Sequence, residues 1–230
     1  MTPVVSPPAE ILVRRGHWLF DLDGTLVDSC PVHEAAFREA IAEVAPEALA
    51  GFRYADHAGA STRAAALRLT GDAERAGRLA RRKQELYREH VAAGRAELFP
   101  GAGGLLDRLA AAGRTAYLVT GGSRASVERV LAACALTGRF RAVLTSDDVP
   151  ASKPDPAVYA AACERWGVDP CDAVVLEDSA HGVASAVGAG LATLHVHVAE
   201  PAPGAVAVGC LDEITSLLET SLLDSEVNGG

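Results

Sequence analysis

Short apolar runs that alternate with helical patterns constrain the fold of this chain most strongly. The first run, residues 17–21, ends in an acidic turn that contains glycine, and later runs cover residues 115–120, 142–145, 173–177 and 191–196. Helical apolar spacing lies between the later runs, at residues 102–112, 123–135, 156–166 and 181–189. Strands that alternate with helices of this length indicate βαβ units. We therefore expect an α/β fold, with a Rossmann-like parallel sheet sandwiched by helices.

Residues 28–98 interrupt this alternation, because they carry helical patterns and no candidate strand. We expect them to form an inserted, all-helical second domain. Residues 16–27 and 99–223 then form the α/β core domain, and the chain re-enters that core through a turn at Phe99-Pro100-Gly101. Residues 1–15 are expected to be a loose N-terminal tail, and the polar residues 224–230 a frayed C-terminus.

Composition excludes several classes of protein. The formal net charge of −9 disfavours nucleic acid and anionic membranes as partners, so an anionic ligand would need a local positive pocket. No apolar run approaches the ~18 residues that cross a membrane. The five scattered cysteines contain no C-x-x-C pair, which argues against a disulfide framework and fits a reducing compartment. The N-terminus lacks a signal-peptide pattern. We expect a cytoplasmic protein.

Two acids follow the first apolar run. Asp21 and Asp23 lie two residues apart at the end of the predicted strand, so both carboxylates can point into one crevice. Gly24 lets the backbone turn sharply after them. Paired acids normally hold a cation between them or raise the pKa of one member. The alternative is a solvated turn in which an aspartate caps a helix.

A hydroxyl and two glycines follow the run at 115–120. Thr120, Gly121 and Gly122 end a strand at the start of a helix, where backbone N–H groups and the helix dipole favour an anion. Thr120 would donate a hydrogen bond to a phosphoryl oxygen. The alternative is an ordinary connection with Ser123 as the helix N-cap.

Lysine is rare in this chain, which uses arginine as its usual cation. Lys83 and Lys153 are the two lysines among 21 basic residues. Prolines at 154 and 156 restrain the backbone beside Lys153. An ammonium held at this edge of the sheet can neutralise a nucleophilic carboxylate and a phosphate together. A surface lysine in a proline turn is the alternative.

A second acidic pair ends the run at 173–177. Glu177 and Asp178 should face the first pair, because the carboxyl ends of parallel strands meet at one edge of the sheet. Carboxylate oxygens and water are the ligands that Mg²⁺ selects. The alternative is helix capping by Asp178 or Ser179.

In chain order, these motifs closely resemble those of the haloacid dehalogenase superfamily. D-L-D-G-T-L-V-D-S, beginning at Asp21, is similar to its first motif, and Thr120, Lys153 and Glu177-Asp178 are similar to its second, third and fourth. The stretch from Glu177 to Gly190 resembles the branch that contains phosphoglycolate phosphatase and β-phosphoglucomutase. The helical insert resembles the cap domain of that branch.

The resemblance implies hydrolysis of a small phosphomonoester, such as a sugar phosphate, through an aspartyl-phosphate. It implies that Asp21 is the nucleophile, and that Asp23 is first a general acid and then a general base. Mg²⁺ would be held by the Asp21 side chain, the Asp23 backbone carbonyl and Asp178, with Glu177 bound directly or through water. An acid at position 23 disfavours dehalogenation, since dehalogenases of this fold lack it.

The resemblance also implies groups that bind the phosphoryl oxygens and the leaving group. Phosphate would be held by Thr120, Gly121, Gly122 and Lys153. The cap would choose the substrate, and its polar candidates are His33, Arg63, Lys83 and Tyr87. For Lys83 and Arg63 the alternative is a solvated helix face, and for His33 a packed hinge residue.

Two other functions stay open. A phosphomutase would use the same aspartyl-phosphate, but its cap arginine would lie one residue nearer to Gly59 than Arg63 does. A non-catalytic binding protein on this fold is disfavoured by the intact motifs.

His195 and His197 alternate on the last predicted strand without a third ligand nearby, so we expect a strand face rather than a metal site. The expected state is a monomer or a dimer.

Overall fold

The computed structural model describes Leu12, residues 15–57 and residues 60–227. Most of the predicted N-terminal tail, and Gly59 of the insert, lie outside this part of the chain. The last helix continues to Val227, within the segment predicted to be frayed, and residues 228–230 also lie outside.

Six strands form one parallel sheet: β1 (His17–Phe20), β4 (Thr115–Val119), β5 (Val143–Leu144), β6 (Ala173–Glu177), β7 (Ala192–Val196) and β8 (Val206–Val208). Their order across the sheet is β5-β4-β1-β6-β7-β8. The order reverses at β1, as in dinucleotide-binding folds. The predicted Rossmann-like α/β fold is confirmed.

Helices connect these strands and form a separate group in the insert. The helices of the insert are α1 (Cys30–Val44), α2 (Thr62–Thr70) and α3 (Ala73–Ala92). Those that follow are α4 (Ala102–Ala111), α5 (Arg124–Ala133), α6 (Ala157–Trp166), α7 (Ala180–Gly188) and α8 (Leu211–Val227). Short 3₁₀ segments cover Pro46–Gly51, Tyr54–Asp56 and Pro170–Asp172.

The central strands are apolar because they are buried on both faces. All five residues of β6 are buried, and so are Trp18, Leu19 and Phe20 of β1. Burying one such side chain stabilises a fold by about 1.5–3 kcal/mol relative to leaving it exposed. Continuous apolar runs are typical of parallel strands covered on both sides, which explains why the sequence revealed these two strands clearly.

Three strands were not expected from the sequence. β8 lies at the edge of the main sheet, and β2 (Val27–Asp28) pairs with β3 (Glu97–Leu98) in a second sheet. The expectation that residues 28–98 contain no strand is therefore wrong. Strands of two or three residues are too short to show an apolar alternation, because one period of that alternation takes two residues.

The chain divides into two compact units. The first takes its described residues from the ranges 1–27, 98–122 and 137–230 and contains the six-stranded sheet. The second consists of residues 28–97 and 123–136, so it contains α5 together with the helices of the insert. Within it, α3 packs against α1, α2 and α5. The core and cap boundaries inferred from the sequence stay a prediction.

Among the described residues, no helix combines the length and the apolar character that crossing a bilayer requires.

Candidate active site

The predicted motifs meet at the carboxyl edge of the sheet. Asp21 follows β1, Thr120 follows β4, and Glu177 ends β6. Backbone bonds hold these ends together, since the N–H of Asp21 donates to the carbonyl of Leu176 at 3.0 Å. The strand order reverses at this place, and open α/β sheets bind their ligands where it does.

Lys153 joins two of the acids. Its Nζ lies 2.6 Å from Oδ1 of Asp21 and 2.5 Å from Oε1 of Glu177, and it also donates to the carbonyl of Val119 at 3.0 Å. Burial alone would lower the pKa of the ammonium, but Asp21 and Glu177 outweigh burial and raise that pKa above its ordinary value. Lys153 is therefore a fixed positive charge beside Asp21, and not a lysine in a surface turn.

Glu177 is fully buried and its carboxylate is surrounded by donors. Oε1 also accepts a hydrogen bond from the Tyr159 hydroxyl at 2.8 Å, and Oε2 accepts one from Ser179 Oγ at 3.3 Å. Gly182 packs directly on the carboxylate, so that a Cβ there would collide with it. The Ser179 hydroxyl also accepts from the N–H of Gly182, and thus caps α7 as the alternative from sequence described.

Tyr159 was missed by sequence reasoning. It lies on α6, is fully buried, and Lys153 Nζ lies 5.2 Å from its ring centroid. Burial raises the pKa of its phenol well above the ordinary value, and the charge of Glu177 adds to that effect. The available signal was the residue type, because a buried tyrosine needs a hydrogen-bond partner for its hydroxyl.

Three acids form a cluster that suits a divalent cation. One carboxylate oxygen each of Asp21, Glu177 and Asp178 lies within 4.8 Å of the others. Burial raises the pKa of Asp21 well above its ordinary value although Lys153 opposes this, and burial with the charge of Glu177 raises the pKa of Asp178 to about 6. Hard oxygen donors with excess negative charge are the donor set of Mg²⁺, so these residues fit that ion.

The loop after β1 closes on Asp178. Gly24 has a φ of 88°, where a side chain is unfavourable, and a Cβ at this position would collide with the Asp178 carboxylate. Thr25 Oγ1 donates to Asp178 Oδ1 at 3.2 Å. The half-buried Asp23 forms a β-bridge with Val27 on the same loop. Asp21, Asp23 and Asp178 therefore share one compact region.

Thr120 is buried at the end of β4. Its Oγ1 accepts a hydrogen bond of 3.1 Å from the N–H of Gly122, which leaves the hydroxyl hydrogen available to a ligand oxygen. Gly121 is exposed and a Cβ there would meet nothing, so its backbone is accessible. Ser123 is the N-cap residue of α5, as the alternative considered from sequence described, but its side chain makes no capping hydrogen bond.

In the second unit, three of the four predicted cap residues form a cluster. Lys83 is 3% exposed, its Nζ lies 2.6 Å from His33 Nδ1, and His33 stacks on Tyr87 with the ring centroids 4.2 Å apart. The ammonium also lies 4.9 Å from the Phe37 ring centroid and 4.8 Å from that of Tyr87. The alternative that Lys83 lies on a solvated helix face is therefore wrong. Arg63 is exposed on α2, as that alternative described for it.

Comparisons with known proteins show similarity over most of the chain. The sequence profile of the haloacid dehalogenase-like hydrolase family matches residues 18–190. Protein CbbY of Rhodobacter capsulatus is 32% identical over 192 residues, which are 75% of this chain and 81% of CbbY. Hexitol phosphatase A of Escherichia coli K12 is 31% identical over 223 residues, 94% of this chain and 98% of that enzyme. The crystal structure of CbbY from Rhodobacter sphaeroides in complex with phosphate superposes with a TM-score of 0.76 and 26% identity, over 89% of this chain and 99% of CbbY.

Proposed function

The chain belongs to the haloacid dehalogenase-like hydrolase family, and on that premise we propose that it is a Mg²⁺-dependent phosphatase of a small phosphomonoester. A sugar phosphate is the substrate class that we favour. The observation that carries the proposal is the ion pair of 2.6 Å between Lys153 and Asp21 at the switch point of the sheet. It places a shielded carboxylate where the fold binds its ligand.

Asp21 is the proposed nucleophile. One of its carboxylate oxygens attacks phosphorus, the ester P–O bond breaks, and Asp23 gives its proton to the leaving alkoxide. Water then attacks the aspartyl-phosphate, its proton returns to Asp23, and inorganic phosphate leaves with the Asp21 carboxylate restored. The covalent intermediate thereby splits one difficult displacement, the direct attack of water on the ester, into two easier ones.

Charge repulsion is the main obstacle to that attack. A carboxylate ~4 Å from a phosphate charge meets a repulsion of about 4 kcal/mol per charge pair at an effective dielectric constant of ~20. Lys153 offsets part of this repulsion because its ammonium contacts Asp21 directly. We propose that Thr120 and the backbone of Gly121 donate hydrogen bonds to the transferring oxygens, where negative charge develops. The N–H of Gly122 donates to Thr120 Oγ1, so Gly122 is proposed to serve phosphate binding by positioning that hydroxyl.

The acidic cluster is the proposed magnesium site. The ion would be held by the side chains of Asp21 and Asp178 and by the Asp23 backbone carbonyl. Glu177 would lie beside it, either as a ligand or through water. Mg²⁺, when bound, supplies positive charge that neutralises the phosphate oxygens and the acids. Burial is the main cause of the raised pKa values of Asp21 and Asp178, and the neighbouring acids add to it, so a cation bound among these carboxylates would favour their charged forms.

The helical cluster is the proposed specificity element. A buried ammonium and an imidazole at Lys83 and His33, with Tyr87 beside them, are groups that recognise a polar or anionic part of a sugar phosphate. The relatives support this class: one is named a hexitol phosphatase, and CbbY was crystallised with phosphate.

We also propose a cytoplasmic location, since no disulfide joins any of the five cysteines. We propose a monomer or a dimer.

The test is phosphate release from a panel of sugar phosphates, hexitol phosphates, phosphoglycolate and nucleotides, with Mg²⁺ and with a chelator. We expect release from one or a few small esters in Mg²⁺ alone. Release that is equal in chelator would refute the metal assignment. Isomerisation of a hexose phosphate that needs a bisphosphate primer, without net release, would instead identify a phosphomutase.

A further inference from the structure

Two histidines at the end of β7 lie beside the loops that carry the acids of the site. His195 is 6% exposed and stands opposite Glu177 in the register of β6 and β7. His197 follows the strand and has a φ of 62°, a left-handed conformation that is uncommon for a residue with a side chain. The sequence indicated only that the two share one face of a strand.

The hydrogen bonds of His195 determine its tautomer. The backbone N–H of Ala202 donates to Nδ1 at 2.9 Å, and Nε2 lies 2.8 Å from the backbone carbonyl of Asp178. A backbone N–H can only donate and a carbonyl can only accept, so Nδ1 is bare and Nε2 carries the hydrogen. Both ring nitrogens are thus engaged with backbone groups, and the imidazole is a hydrogen-bond bridge rather than a metal ligand.

His197 makes the equivalent contact with the other loop. Its Nε2 donates to the carbonyl of Thr25 at 3.0 Å, and its ring stacks on Phe99 with the centroids 4.1 Å apart. Phe99 is in turn bound to the same loop, since its N–H donates to the carbonyl of Leu26 at 2.9 Å. The loop after β1 is therefore held by the side chain of the residue that follows β7, a strand to which β1 is not paired.

The two loops are also joined to each other. Thr25 Oγ1 donates to Asp178 Oδ1, so the Asp178 residue is held at its backbone by His195 and at its carboxylate by Thr25. Thr25 is itself held at its backbone by His197. The pairing of β6 with β7 ends at Glu177 and His195. At the next residue of the chain, Asp178, the backbone carbonyl accepts its hydrogen bond from the His195 imidazole.

We propose that His195 is a positioning residue for the metal site: it holds the Asp178 backbone so that the carboxylate lies against residues 21–25, and His197, which follows the same strand, supports that loop. The proposal rests on the role of Asp178 as a metal ligand under the proposed function. Groups that hydrogen-bond to metal-ligating residues typically change metal affinity or activity by about 10- to 100-fold when they are removed.

The test is Mg²⁺ binding to the full chain by isothermal titration calorimetry, without substrate. We expect His195→Leu to raise the Mg²⁺ dissociation constant about tenfold or more. His195→Gln should stay within about threefold of the unmodified protein, because the glutamine amide can donate from the place of Nε2. His90→Leu is the matched control, since His90 is also buried, at 7% exposure, and lies in the other unit. An affinity of His195→Leu within twofold of the unmodified protein would overturn the proposal.

A second comparison covers the case in which His195→Leu does not fold. His195→Asn can keep an acceptor near Nδ1 but cannot reach the Asp178 carbonyl, so it should bind Mg²⁺ more weakly than His195→Gln. Equal affinities of these two variants would contradict the proposal, as would an NMR spectrum that places the imidazole hydrogen on Nδ1. Phosphate release is measured separately. Mg²⁺ binding without phosphate release from any ester would refute the hydrolase function. The Mg²⁺ affinities of the His195 variants would still test the positioning role of His195.

Discussion

Lys153 donates a hydrogen bond of 2.6 Å to Oδ1 of Asp21, although 132 residues separate the two in the chain. The side chains of both are largely buried, at 13% and 10% exposure, so solvent screens their attraction only weakly. The same ammonium contacts Glu177, and one cation therefore compensates two acids. This arrangement suits a carboxylate that must approach an anion.

Replacing the proposed nucleophile should stop turnover without unfolding the protein. Asp21→Asn keeps the size of the side chain but lacks the charged oxygen that attacks phosphorus, so we expect kcat to fall by roughly a thousandfold or more. Phosphate release gives the rate, and a circular dichroism melt shows that the fold persists. A folded variant that retains a tenth of the activity would eliminate Asp21 as the nucleophile.

Mg²⁺ should stabilise the protein, and Asp178 should be required for this. Ligands that bind only the folded state stabilise it by about 2.7 kcal/mol at 100 times their Kd. We expect Mg²⁺ to raise Tm by several degrees, and Asp178→Asn to abolish most of that rise. Differential scanning fluorimetry with titrated Mg²⁺ measures both. Glu219→Gln, an exposed site on α8, is the control. An unchanged Mg²⁺ response in Asp178→Asn would contradict the assignment.

The metal-free protein should lose stability as the pH rises from about 4 to above 6. Burial and Glu177 raise the pKa of Asp178 from 3.8 to about 6, so the folded state binds more protons than the unfolded state in this window. The stabilisation is full below the unfolded pKa and is lost as the pH passes the folded pKa; the loss is on the order of 3 kcal/mol. Denaturant melts in chelator at several pH values should show it. Asp178→Asn should show a flatter profile, and identical profiles would refute this origin.

Lys83 should affect substrate choice more than the core chemistry. Lys83→Met keeps the apolar stem but removes the ammonium, so we expect kcat/KM for the preferred sugar phosphate to fall by about 10- to 100-fold. The rate with p-nitrophenyl phosphate, a generic ester, should change by less than threefold. Arg82→Met, at a half-buried neighbour on α3 that pairs with Glu43, is the control. Equal losses on both esters would mean that Lys83 serves the fold or the reaction itself.

Tyr159 should support the Lys153–Glu177 pair through its hydroxyl. Tyr159→Phe keeps the ring and leaves Glu177 with one donor fewer, so the free energy of unfolding should fall by about 1–3 kcal/mol, and kcat by several-fold. Chemical denaturation and steady-state kinetics measure the two effects. Tyr117→Phe is a suitable control, because that hydroxyl makes a longer contact of 3.4 Å with His17. Similar losses in the two variants would show that the bond to Glu177 has no special role.

Much of the site could be predicted from sequence because its signals are local. A buried strand followed within a few residues by a polar turn is visible in the sequence at three places: at Asp21, at Thr120-Gly121-Gly122 and at Glu177. Parallel strands present their carboxyl ends on one edge, so strand order was not needed to predict that these groups lie near one another. The short strands β2, β3 and β8 lacked such a pattern.

The α/β class, the helices of the insert and the residue types at the end of each strand follow from the order of residues alone, because periodicity and turn chemistry depend on neighbours along the chain. Which partners these residues take depends instead on how elements that are distant in the chain pack together. Tyr159 reaches Glu177 because α6 packs beside the sheet, and His195 reaches Asp178 because β7 pairs with β6 in one register. A shift of one residue would turn the imidazole to the other face, and no local pattern in the chain encodes that register.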